Sequence, residues 1–118
     1  MNKYAVVTAA LVGAAMAWAI GDAASVTIGA RLYGENCQTC HGVGAVGISG
    51  VGPALKGEVA NWSPVQFRRA VLRGVDDKGR PLSTVMPRWS IHGWKSAVSR
   101  VPTDAQLADL QAYLKSLK

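Results

Sequence analysis

Residues Cys37-Gln38-Thr39-Cys40-His41 place two thiols three positions apart, with a histidine directly after the second. On one helical turn Cys37 and Cys40 share a face, and His41 projects beside them. Two thioether bonds and one imidazole ligand are what a covalent c-type haem requires. The pattern therefore predicts one such group, bonded through Cys37 and Cys40 with His41 on its iron. No other feature limits the fold as much, because the chain must close around a flat and largely apolar body.

The same pair of cysteines without the histidine would read as a redox dithiol or as half of a zinc site. A zinc site needs a second ligand pair, and the chain has only two cysteines and, besides His41, only His92. A thioredoxin-like dithiol belongs between a strand and a helix, and no strand pattern precedes Cys37. Haem is the reading that uses all three residues.

The chain of 118 residues has room for one domain. Met1-Asn2-Lys3 is a short basic start, and the uncharged run Tyr4 to Ile20 leads to small residues around Ala17-Trp18-Ala19 and Gly21-Asp22-Ala23. Residues 1–24 are read as a secretory signal peptide cut at the small residues, with a retained membrane anchor as the alternative. Residues 25–118 are then the folded, exported domain. A domain of this size buries little core, so the apo form is expected to fold poorly without the macrocycle.

Ser25 can cap a helix predicted to reach Asn36, with Ile28 and Leu32 forming an apolar stripe that delivers the cysteines. From Gly42 to Gly57 the density of glycine and proline predicts a loop lying close on the ligand. Ser63 caps a second helix, Pro64 takes its first position, Gln66 completes a capping box, and Gly74 ends it. Phe67, Val71 and Leu72 supply its buried face. Residues 76–81 form a turn, and a last helix follows Thr103 and Gln106, burying Leu107, Leu110, Leu114 and Leu117. No strand pattern and no repeat is evident, so the fold class is all-α, helices and loops around one haem.

An iron that shuttles electrons without binding other molecules needs a sixth ligand. Met86 is the only methionine beyond the leader, is followed by Pro87, and lies in an irregular segment able to bend over the far face of the ring. His92 is the competing ligand. A thioether gives a higher potential than a second imidazole, so the two assignments differ measurably.

Taken together, these motifs resemble a class I c-type cytochrome, the bacterial monohaem cytochrome c, over nearly all of residues 25–118. Gly29-Ala30-Arg31-Leu32-Tyr33-Gly34-Glu35-Asn36 is similar to the family's first helix, and Leu110-Gln111-Ala112-Tyr113-Leu114-Lys115 to its last. The resemblance implies the cytochrome c fold, with these helices crossing closely at Gly29 and Tyr113. Gly52-Pro53-Ala54-Leu55 resembles the loop whose proline carbonyl orients the ligand histidine, which gives Pro53 that role toward His41. Met86-Pro87 resembles the segment bearing the sixth ligand. Arg88 to Val101 is longer than the resemblance implies and is read as a partner-recognition insert. Haem attachment outside the cytoplasmic membrane, and so a periplasmic location, is implied as well; contact with the membrane requires the leader to be retained.

Without Lys3 and Asp22 the exported part keeps twelve basic and six acidic side chains. Arg68, Arg69, Arg73, Lys78, Arg80, Arg88, Lys95 and Arg100 concentrate beside the Met86 segment, where they would steer a redox partner with an acidic docking face. Arg68, Arg69 and Trp62 are candidates for bonding a propionate, and Trp62, Trp89 and Trp94 for walling the ring. Nucleic acid is not an expected partner, since the chain carries no such motif. The expected function is electron transfer rather than catalysis, as a small carrier or as the cytochrome subunit of an oxidoreductase such as a dehydrogenase or an oxidase of a respiratory chain. The alternative is a haem-based gas sensor or peroxidase whose sixth ligand is labile.

Overall fold

The computed structural model describes residues 23–118. The proposed leader, with its cleavage site, falls almost wholly outside them. Among the described residues five helices follow one another: α1 (Val26–Asn36), α2 (Gln38–His41), α3 (Pro64–Arg73), α4 (Trp89–His92) and α5 (Asp104–Ser116), with single 3-10 turns at Val43–Ala45 and Val59–Asn61. Among the described residues there is no strand, only isolated bridges pairing Ile48 with Gly52 and Val75 with Pro81. This is the all-α architecture that the resemblance implies.

The predicted caps form. Ser25 Oγ accepts from Ile28 N at 3.1 Å. Ser63 with Gln66, and Thr103 with Gln106, close full capping boxes, each satisfying two backbone N–H groups that a helix start leaves unpaired. Gly74 ends α3 in the left-handed region, where residues with a side chain are strained. Phe67, Val71 and Leu72 are buried as the sequence implies, joined by Ala70, and Leu107, Leu110 and Leu114 form the inner face of α5. Leu117 caps that helix and is only partly buried.

Helices α1 and α5 cross in close contact at Gly29. The rings of Tyr33 and Tyr113 also meet there, with centroids 5.4 Å apart. The inward stripe of α1 is Gly29, Leu32 and Tyr33, whereas Ile28 is 43% exposed. The expected role of Ile28 is corrected on this point: the backbones approach at Gly29, and its neighbour is turned about a quarter-turn away. Gln111 makes a further link that periodicity does not reveal. Its buried side chain donates to Ala60 O at 3.2 Å and to Trp62 O at 2.6 Å, tying α5 to the second 3-10 turn.

The stretch 88–101, read as a partner-recognition insert, is tied into the fold. Trp89 and Trp94 belong to the core, Ser90 Oγ donates to Leu72 O at 2.6 Å, and Asn36 exchanges hydrogen bonds with the Lys95 backbone at 2.7 and 3.0 Å. The segment thus braces the C-terminal ends of α1 and α3.

Candidate haem site

Helix α1 runs into α2 through Cys37, whose N–H donates to Tyr33 O at 2.8 Å. Tyr33 is buried, and its hydroxyl donates to Gly42 O just past the motif. Burial, first of all, pushes the Tyr33 phenol up to about 12, so it remains a donor across the neutral range. The cysteine segment is thereby fixed at both ends. Neither cysteine is in a disulfide: Cys37 is partly covered and Cys40 is exposed. Burial, with the neighbouring Cys40 second, pushes the Cys37 thiol up to about 12.

His41 is buried, and its Nδ1 lies 2.7 Å from Pro53 O. A carbonyl oxygen can only accept, so Nδ1 carries the proton and Nε2 keeps its lone pair for a metal. Gly52 makes this approach possible: a Cβ there would stand 2.4 Å from Cys40 O and 3.4 Å from His41 Nδ1. The loop passes so close that only glycine fits.

Cys37, Cys40 and His41 line one wall of a cleft whose other walls include Val51, Leu55, Trp62, Phe67, Val71, Leu82, Met86, Trp89, Leu110 and Leu114. Met86 lies in that lining, half-buried, in the loop before α4. His92 does not: it is exposed, lies beside Trp94 and Arg100, stacks edge-on against Trp89 at 5.3 Å, and has Nδ1 2.8 Å from Gly93 O. Of the three tryptophans expected around the ring, Trp62 and Trp89 line the cleft and Trp94 packs behind Trp89 with centroids 6.4 Å apart.

These residues fit a covalently held haem. The walls are apolar, two thiols and an imidazole share one side, and a thioether lies among the remaining lining residues. Trp62 contributes a buried Nε1 with no hydrogen-bond partner among the described residues, an orphan donor of the sort that a bound polar group would satisfy. Among the described residues no three of His, Cys, Asp and Glu come together to hold a bare metal ion.

Comparison with protein families matches residues 24–114 to the family described as Cytochrome C oxidase, cbb3-type, subunit III. The chain belongs to that family. It is a c-type cytochrome domain of the cbb3-type oxidase subunit III family, a haem-based electron-transfer module. No curated protein and no solved structure matches the chain. No helix among the described residues is long and apolar enough to cross a membrane.

The basic side chains that the sequence groups near Met86 are less free than that grouping implies. Arg68 pairs with Asp104 at 2.8 Å and Arg80 with Asp76 at 3.2 Å. Arg69 donates to Asp76 O and Arg100 to His92 O, both at 3.1 Å. Arg88 is drawn inward to three backbone carbonyls. The side chains of Arg73, Lys78 and Lys95 make no such bond among the described residues.

Proposed function

We propose that this cytochrome domain carries one haem c, bonded through Cys37 and Cys40, with His41 and Met86 as the axial iron ligands and Pro53 orienting His41. It would serve as an electron carrier or as the cytochrome subunit of an exported oxidoreductase complex. The observation that carries the reading is that His41 and Met86, far apart in sequence, line one apolar cleft that leaves His92 outside. When bound, the haem supplies a one-electron iron couple.

The chain's own residues do the rest. The Pro53 carbonyl holds the proton on His41 Nδ1, which fixes the ring orientation and raises the basicity of Nε2. Met86 would supply a soft, neutral sulfur ligand that favours the reduced state. The apolar walls exclude water, so the charge change at iron is little screened and the potential rises further. Trp62 Nε1 offers a donor to a propionate. Among the described residues that line the cleft, His41 and the two cysteines are the only ionisable side chains, which favours transfer over peroxide chemistry.

The oxidase in the family's description supports membership of an oxidase complex, and the leader read in residues 1–24 supports export. Arg73, Lys78 and Lys95 support an acidic partner, with association that weakens as salt rises.

The deciding experiment is a carbon monoxide titration of the dithionite-reduced holoprotein, beside an intact mass that reports haem attachment and leader removal. An unmoved spectrum is expected for a closed His41 and Met86 site. Ready binding at neutral pH would replace the carrier reading with gas sensing or peroxide chemistry.

A further inference from the structure

The loop that bears Met86 has no regular structure and little backbone pairing of its own: Leu82 N donates to Gly74 O at 2.8 Å, and Met86 N to Ser83 O at 3.2 Å. Such a segment would ordinarily be mobile. One side chain bridges it. Arg88 Nη2 donates to Leu82 O at 2.9 Å, while Nη1 donates to Ser83 O and Met86 O, both at 3.0 Å. A guanidinium is the one side chain whose planar fork can serve three carbonyls at once. Arg88 forms no ion pair among the described residues, so carbonyl dipoles are what stabilise its charge there.

The anchor is fixed from two sides. The backbone of Arg88 caps α4, accepting from Ile91 N at 3.0 Å and His92 N at 2.9 Å. Its guanidinium lies over Gly74, where a Cβ would come within 2.2 Å of Cζ. The end of α3 has therefore left space for this side chain. From these contacts we propose that Arg88 is the positioning residue for Met86, a clasp that holds the 82–86 loop closed and keeps the thioether on the iron. This rests on Met86 being the sixth ligand.

The test compares the full-length holoproteins wild type, Arg88→Leu, Arg88→Lys and Met86→Ala. Cyanide binding to the ferric form, the thioether-to-iron absorption band and the thermal midpoint are followed in each. Loss of the clasp in Arg88→Leu should weaken the band and speed cyanide binding about tenfold or more, as charge-assisted hydrogen bonds are removed. Arg88→Lys keeps the charge but not the fork and should fall between; if the leucine variant does not fold, the lysine variant decides. A lower midpoint with an unchanged band and wild-type cyanide rate in the Arg88 variants, while Met86→Ala opens the iron, would make Arg88 merely structural and overturn the proposal. An unchanged band in Met86→Ala would instead remove the ligand assignment, and the clasp with it.

Discussion

Gly29 stands so close to Asp109 that a Cβ on the glycine would lie 2.0 Å from the Asp109 carbonyl oxygen and 2.8 Å from Tyr113 Cβ. The glycine makes room for the backbone of α5 first and for the tyrosine second. Asp109 also reaches back, its Oδ1 accepting from Ser25 N at 2.7 Å. Helix α1 leads directly into the cysteine segment at Cys37 and α5 lines the cleft with Leu110 and Leu114, so this crossing sets the distance between two walls of the site.

Gly29→Ala should therefore destabilise the holoprotein by about 3 kcal/mol or more, because a backbone carbonyl cannot move aside as a side chain can. Urea unfolding followed by Soret absorbance and by circular dichroism measures this. A loss under about 1 kcal/mol would mean the helices separate easily.

Met86→His should keep the iron six-coordinate but lower its potential by a sizeable part of the ~0.8 V range that axial ligands span. Potentiometric titration of both proteins provides the comparison. Equal potentials would contradict ligation by Met86.

Arg68 and Trp62 were equivalent propionate candidates in sequence and should now behave differently. Arg68 is 52% exposed and pairs with Asp104, so Arg68→Ala should cost at most about 1 kcal/mol and leave the potential unchanged. Trp62→Phe removes the orphan donor of the cleft. The carboxylate it would have stabilised becomes easier to protonate, moving any pH step in the potential to higher pH. Potentials measured across a pH series separate the two variants.

Asp76 accepts from Arg80 N at 2.8 Å and Lys78 N at 2.9 Å. The Arg80 N–H foremost, with Lys78 N–H and the Arg80 guanidinium adding, holds its carboxyl below the usual range against the opposing effect of desolvation. A folded pKa below the unfolded value of about 3.9 gives stability that is present above that value and lost as pH falls through the folded one. Wild type should exceed Asp76→Asn in thermal midpoint at neutral pH, with the gap narrowing once the pH drops below about 4. A gap that stays constant into acid would show that the turn does not depend on the carboxylate's charge.

The sequence by itself determined whatever depends on neighbours along the chain. The haem motif occupies five consecutive residues, and the capping boxes at Ser63 and Thr103 each span four. The stops and inner faces of α3 and α5 follow from helical periodicity, so these features were legible without coordinates. The cytochrome resemblance added the Gly29 crossing and the loop bearing Pro53. Tertiary structure alone decided which of two candidate ligands, Met86 or His92, faces the cleft, since that depends on how the 82–94 segment folds back over α3. It also withdrew Arg88 from the presumed docking surface, bound Gln111 to the carbonyls of Ala60 and Trp62, and turned Ile28 outward. Each of these joins groups to backbone carbonyls or to packing surfaces that carry no side-chain signature, and a sequence pattern cannot register a partner whose identity is only its position in space.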